Sequence, residues 1–263
     1  MSELIHLIDP LYSLSGLAVG TLVGFTGVGG GSLMTPLLVL LFGVHPTTAV
    51  GTDLLYAGLT KISGSFVHNL NGAVNWRVTR RLATGSAPAA ALTLIGLAHF
   101  GKDANATGGV ITTVLGFALL LTAAAILFRR FILERAAGLF ENRSERQIAL
   151  FTVALGAILG VLVSISSVGA GAIGVTILLM LYPKMATVKI VGSDIAHAVP
   201  LTLIAGVGHW WLGSVDWALL LSLLIGSIPG IAIGSHFASR VPEHVLRPLL
   251  AGTLALVGGR LAL

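Results

Sequence analysis

The sequence predicts an all-α polytopic membrane protein made of two inverted-topology repeats. Each repeat contains five apolar segments, and the first two segments of each are predicted to be short and to form broken or re-entrant helices. Three observations lead to this fold class. The composition is apolar, the sequence repeats itself after 141 residues, and most basic residues lie in a few loops.

The composition is typical of a membrane protein. Of 263 residues, 55% are hydrophobic and 10% are charged, and the mean hydropathy is +0.97. A soluble domain carries about 25% charged residues, so this chain has too few to cover a surface in water. Several apolar stretches reach the roughly 20 residues of a membrane-spanning helix, and they lack the alternation of a barrel strand. The acidic start, MSELIHLIDP, predicts no cleavable targeting segment.

An internal repeat divides the chain into two halves. The sequence VGTD at 50–53 recurs as VGSD at 191–194, and the same shift relates His68 to His209. It also relates the GSAP sequence at 85–88 to GSIP at 226–229. The sequence therefore predicts a first repeat over 1–128, a charged linker over 129–147 and a second repeat over 148–263. The apolar segments are predicted at 11–26, 32–43, 46–69, 79–99 and 107–128, and at 148–165, 172–182, 187–209, 218–238 and 245–262.

The basic residues indicate the topology. Lys and Arg total 15, and most occur in four short stretches, near 77–81, 129–146, 184–189 and 240–247. Such clustering is typical of cytoplasmic loops, so the pI of about 10.1 reflects topology and not nucleic-acid binding. Because each repeat has an odd number of segments, the second repeat enters the membrane from the opposite side. We expect both termini in the periplasm, the linker in the cytoplasm, and the inverted repeat of a secondary transporter.

Two glycine-rich turns predict an anion-binding site at the membrane midplane. Broken helices that meet there would expose backbone N–H groups and the positive end of a helix dipole, and glycine lets an anion approach them closely. Close helix packing by small residues is the alternative explanation. The candidate donors are Gly27, Gly29, Gly30, Gly31 and Ser32 in GFTGVGGGS, and Ser166, Ser167, Gly169 and Gly171 in SISSVGAGA.

Four ionisable residues within apolar segments are further candidates, because charges at membrane depth are usually functional. Asp53, Asp194 and His197 are predicted to carry protons, and Asp194 and His197 can share a hydrogen bond at their i, i+3 spacing. Lys61 is predicted to attract the anion. A structural role for the carboxylates, in capping a helix turn or pairing with Lys61, is the alternative. His209 is predicted to lie at the membrane interface, and the dispersed histidines and zero cysteines argue against a metal site.

The motifs GFTGVGGGSLMTPLL, GVHPTTAVGTDLL and SSVGAGAIGVTILL resemble the sulfite exporter TauE/SafE family of bacterial membrane proteins. The resemblance spans essentially the whole chain. It implies transport of a small sulfur-containing anion, such as sulfite, a sulfonate or thiosulfate, driven by an ion gradient and without ATP.

The sequence thus predicts a secondary transporter, and more specifically an exporter, of a small sulfur oxyanion in the bacterial inner membrane. The predicted partners are the anion and the lipid bilayer, with no nucleic acid and no cofactor. The oligomeric state stays open, a homo-oligomer included. A passive anion channel of the same fold is the first alternative. An integral-membrane enzyme is the second, although no nucleophile–base pair or metal cluster is recognisable in the sequence.

Overall fold

The structure, a computed structural model, describes residues 8–26, 31–70, 72–100, 104–136, 138–237 and 243–263. These residues form helices joined by short turns, without a β-strand among them. The helices are α1 (Pro10–Thr26), α2 (Gly31–Leu40), α3 (Pro46–Leu70), α4 (Trp76–Phe100), α5 (Ala104–Leu127), α6 (Arg129–Ala136), α7 (Glu145–Ser166), α8 (Ala172–Leu181), α9 (Thr187–Trp211), α10 (Trp217–Phe237) and α11 (Glu243–Ala262).

Several helices are long and apolar enough to cross a membrane. Within the described residues there are five, which lie in α4, α5, α7, α9 and α10. Helix α3 has a comparable length but carries Asp53 and Lys61. This architecture, together with the apolar composition, is that of a multi-pass membrane protein.

The predicted apolar segments agree with the helices to within three residues at each end. Helices α2 and α8 have ten residues each and rise only about 15 Å, so the second segment of each half is short, as predicted. The prediction that the first segment is also short is wrong for α7. Its 22 residues begin at a capping box formed by Ser144 and Gln147 and reach about 33 Å, enough to cross the hydrocarbon core.

The helices of the two halves pack mainly against each other. Helix α1 packs on α10, α4 on α7, α3 on α9 and α5 on α11. Along α3, Gly51 lies beside Ser214, Gly58 beside Leu203, and Gly64 beside Ile195. Residue numbers therefore rise along α3 as they fall along α9, and the two helices are antiparallel.

Glycines allow the backbones of these helix pairs to touch. A Cβ atom on Gly16 of α1 would overlap the backbone of Leu223 in α10, and one on Gly156 of α7 would overlap the backbone of Leu82 in α4. Such close approach is a common way for membrane helices to associate, since apolar burial alone gives no advantage in lipid.

Two hydrogen bonds of the same kind also join the halves. The Asn75 backbone N–H donates to Ser193 Oγ at 2.8 Å, and the Asp216 backbone N–H donates to Thr52 Oγ1 at 3.0 Å. Asn75 and Asp216 each lie just before a helix, α4 and α10, whereas Ser193 and Thr52 lie within α9 and α3. Each bond satisfies a helix-start N–H that has no partner within its own helix.

The buried apolar residues form three clusters around the paired helices. One cluster is formed mainly by α4, α7, α8 and α9, with contributions from α3 and α5. A second joins α1, α2, α3 and α10, and a third is formed mainly by α5 and α11. Helix α8 therefore lies in the first cluster and α2 in the second.

Alanine substitutions in α4 test the role of close packing. Gly85→Ala would place a methyl group against the Val153 carbonyl of α7, and we expect it to destabilise the protein by about 1–3 kcal/mol. Gly96→Ala in the same helix is the matched control, because it meets nothing within 4 Å and alanine is the better helix former. Melting temperatures in detergent measure both variants. Equal melting temperatures would contradict the packing role of Gly85.

Candidate functional site

The second glycine-rich turn is a buried break between α7 and α8. Ser167 and Gly169 are both buried, and their φ angles are 60° and 125°; Gly171 has a φ of 110°. Ser166 Oγ donates to the Leu162 carbonyl at 2.7 Å and accepts from the Val168 N–H at 3.2 Å. The chain therefore reverses at depth with left-handed backbone, and α8 begins there with N–H groups that no preceding helical turn can satisfy.

The first glycine-rich turn is only partly described. Gly27, Gly29 and Gly30 lie outside the described residues, whereas Gly31 and Ser32 form the first turn of α2. Helix α2 nevertheless packs against α3, because its residue Thr35 is buried there.

The Asp53 carboxylate of α3 joins three helices. Asp53 is fully buried, and its Oδ2 atom accepts a hydrogen bond from Thr35 Oγ1 of α2. The Ser167 hydroxyl, at the end of α7, lies beside the same carboxylate but forms no hydrogen bond with a described residue. Asp53 is therefore positioned where α2, α3 and the α7–α8 turn meet.

The Asp194 carboxylate of α9 has an equivalent position against α8. It is 1% exposed, and the backbone N–H of Gly171 faces it. Gly174 of α8 lies so close that a Cβ atom there would be 2.5 Å from Asp194 Oδ1. A larger residue at this point of α8 would displace the carboxylate.

Lys61 of α3 is within electrostatic range of both carboxylates. It interacts electrostatically with both Asp53 and Asp194, although no ion-pair contact joins these three described residues. Lys61 is two turns beyond Asp53 on α3, and the antiparallel packing brings α9 with Asp194 alongside. One ammonium group therefore partly offsets the charge of two buried carboxylates without pairing closely with either.

His197 is fully buried. Its i, i+3 spacing from Asp194 suggested a hydrogen bond between the two side chains, but they do not form one. Its Nε2 atom instead hydrogen-bonds Ser86 Oγ of α4 at 2.8 Å. The prediction that His209 is interfacial is wrong. His209 is also fully buried, and its Nε2 atom hydrogen-bonds the Ser164 carbonyl at 2.8 Å, so it ties α9 to α7.

Several buried polar atoms in this region form no hydrogen bond with a described residue. They are Asp53 Oδ1, Asp194 Oδ1, Ser164 Oγ, Ser167 Oγ and His197 Nδ1. An unpaired buried polar group costs about 1–3 kcal/mol, and native proteins usually avoid it. Their concentration around the α7–α8 turn is typical of a site that receives a polar ligand. No group of three metal-binding side chains occurs in the described part of the chain.

Comparisons with known proteins agree with this architecture. The family model for the sulfite exporter TauE/SafE matches residues 12–261. The chain belongs to the sulfite exporter TauE/SafE family. Among its relatives, the probable membrane transporter protein YjnA of Bacillus subtilis is 39% identical over 94% of this chain and 97% of that protein. The probable membrane transporter protein YdhB of the same organism is 30% identical over 91% of this chain and 94% of that protein. No solved structure matches.

The site of this TauE/SafE family member includes residues that the sequence analysis missed. Ser86 bonds His197, Thr35 bonds Asp53, and Gly174 accommodates Asp194. Ser86 could have been found, because it lies in the GSAP motif that the second half repeats. Thr35 and Gly174 carried no such signal, since a threonine or a single glycine in an apolar helix usually only packs.

Backbone strain at Gly171 gives a prediction for the turn. Gly171→Ala would force an L-residue to a φ of 110°, at a cost of about 1–3 kcal/mol. We expect a lower melting temperature and loss of transport. Gly109→Ala in α5, which meets nothing within 4 Å, is the control. Wild-type stability and transport in Gly171→Ala would show that the turn needs no glycine at this position.

Proposed function

We propose that the protein is a secondary transporter that exports a small sulfur-containing oxyanion, such as sulfite, a sulfonate or thiosulfate. The observation that carries this proposal is a pair of buried carboxylates, Asp53 and Asp194, beside a buried non-helical turn with unpaired polar atoms, with Lys61 within electrostatic range of both. A site with one ammonium group, serine hydroxyls and turn N–H groups suits an anion. The family name points to the same class of substrate.

The charges of the site support coupling to protons. With Asp53 and Asp194 ionised and Lys61 protonated, the cluster has one net negative charge and repels an anion. Protonation of a carboxylate removes this repulsion, so the anion binds together with a proton. An anion that still carries net negative charge is driven outward by an interior-negative membrane potential, at about 2.3 kcal/mol per charge and 100 mV. The pH gradient acts inward on the bound proton, and we propose that the electrical force exceeds it, so that the net direction is export.

The packing supports the inverted repeat. A shift of 141 residues converts the contact of Gly51 with Ser214 into that of Gly192 with Ala73. The same shift converts the Asn75–Ser193 hydrogen bond into the Asp216–Thr52 hydrogen bond. The pairs α1–α10 and α7–α4 correspond in the same way. Such exchanged contacts are expected when two similar halves are related by a twofold axis in the membrane plane.

We propose on the same basis that the two glycine-rich turns face each other across this axis. Gly27, Gly29, Gly30, Gly31 and Ser32 would then contact the anion from one side, and Ser166, Ser167, Gly169 and Gly171 from the other. Asp53, Asp194 and His197 would carry protons, and Lys61 would attract the anion.

Transport in proteoliposomes tests the function. Sulfite should accumulate against its concentration gradient when a pH gradient is imposed, and Asp194→Asn should abolish this accumulation while sulfite still binds. Asp216→Asn is the matched control, because Asp216 is exposed and caps α10, a role that asparagine also fills. Undiminished pH-driven accumulation in Asp194→Asn would contradict the coupling role. Flux that only equilibrates sulfite in the wild type would favour a passive anion channel instead.

The proposed topology places the linker in the cytoplasm, both termini in the periplasm and the protein in the inner membrane. Because the chain has zero cysteines, labelling of a single introduced cysteine shows on which side of the membrane that residue lies. Leu139→Cys lies in the turn before α7 and Trp211→Cys at the far end of α9, and the two native side chains are 58% and 88% exposed. On intact cells an impermeant thiol reagent should label only Trp211→Cys. Labelling of Leu139→Cys alone, or of both equally, would refute the topology.

A further inference from the structure

A cavity of about 610 Å³ opens at the end of the bundle where α4, α7 and α9 begin. It is separate from the Asp53–Asp194 region, and we call it the basic mouth. Five cationic side chains line it against two carboxylates, an excess of three positive charges. The cations are Arg77, Arg81, Arg143, Lys184 and Lys189, and the carboxylates are Glu141 and Glu145.

Two guanidinium groups in the basic mouth are held on one carboxylate oxygen. Glu145 Oε1 accepts from Arg77 Nη1 at 2.9 Å and from Arg81 Nη2 at 2.8 Å. Arg81 is 20% exposed and also donates to the Tyr182 hydroxyl at 3.4 Å, which in turn hydrogen-bonds Thr152 at 2.8 Å. The Arg81 guanidinium is therefore fixed before any ligand arrives, with a carboxylate in the position that an oxyanion would take.

The positive charge of the basic side chains exceeds the negative charge of the two glutamates. Glu145 pairs with Arg77 and Arg81, and Glu141 lies 3.5 Å from Lys184. Neither Arg143 nor Lys189 forms an ion pair with another described residue. Both line the same cavity, so a bound anion would find charge that the protein leaves uncompensated.

The repeated fold does not itself require these charges. A shift of 141 relates Arg77 and Arg81 to Ala218 and Ser222, and Lys184 and Lys189 to Gly43 and Thr48. Topology needs basic residues on this side of the membrane, but basic residues on α6, such as Arg130 and Arg135, serve that need without lining the cavity. The convergence of the other basic side chains on one cavity calls for a separate explanation.

We propose that the basic mouth is a second oxyanion-binding site, in which a phosphate or sulfur oxyanion displaces Glu145 from Arg77 and Arg81. Guanidinium pairs recognise such groups through several parallel hydrogen bonds. The oxyanion has two sources. One is the transported anion in solution, in which case the site rests on the proposed function and concentrates substrate before transport. The other is the headgroup phosphate of an anionic lipid, since basic pockets between membrane helices bind such headgroups.

Calorimetric titration with inorganic phosphate tests the site, with the full-length protein in phosphatidylcholine nanodiscs at constant ionic strength. Arg81→Gln should weaken phosphate binding roughly fivefold, because it removes one charged donor of several. Glu145→Gln should strengthen binding, because the internal competitor loses its charge. Arg130→Gln is the matched control: its guanidinium pairs with Glu134 on exposed α6 and lies outside the cavity, so binding should not change.

A second set of nanodiscs containing phosphatidylglycerol distinguishes the sources. If the lipid headgroup occupies the basic mouth, phosphate binding by the wild type weakens in these discs, and Arg81→Gln loses this dependence. If the soluble anion is the ligand, the wild type binds phosphate equally in both discs.

The opposite effects of Arg81→Gln and Glu145→Gln keep the test independent of folding, since a misfolded variant cannot bind more tightly. Equal phosphate affinity in the wild type and both variants would overturn the site. The proposed function fails separately: a protein that binds phosphate at the basic mouth but does not accumulate sulfite refutes transport alone.

Discussion

The electrostatic balance between Lys61 and the carboxylates of Asp53 and Asp194 is the constraint on which the arrangement of the bundle depends. Two ionised carboxylates inside an apolar bundle carry a desolvation penalty of several kcal/mol each. One ammonium group within range of both reduces that penalty only when α3 and α9 run alongside in antiparallel directions. Thr35 and the Gly171 backbone N–H supply further donors. The charges and the helix pairing therefore stabilise each other.

Glycine residues allow α3 and α9 to approach each other closely. Gly58 of α3 packs against Leu203, and Gly206 of α9 packs against Leu55, so the two helices approach along much of their length. The same device brings α1 against α10 and α4 against α7. Glycine thus has two physical roles here. In the paired helices it shortens the distance between axes, whereas at Gly169 and Gly171 it permits positive φ angles.

Much of this fold was predictable, because the length of an apolar segment indicates the length of the helix that it forms in a membrane. The helix ends followed from the apolar segments, and the antiparallel contacts of α3 and α9 fit the 141-residue repeat. The side-chain partners could not be predicted, since they depend on contacts distant in sequence. His197 is three residues from Asp194 yet bonds Ser86 across the interface with α4. His209, beside two tryptophans in the sequence, is buried because it reaches the Ser164 carbonyl.

The two proposed anion sites have opposite charge, and this difference divides their roles. The basic mouth carries excess positive charge, so an anion would gather there without any proton. The central cluster carries two carboxylates and one ammonium group, so under the proposed mechanism an anion would enter it only with a proton. Capture would therefore depend on ionic strength, because the mouth is open to solvent and its charges are screened. Entry would depend on pH, because buried charges are screened far less. A transporter built in this way separates the step that selects an anion from the step that couples its movement to protons.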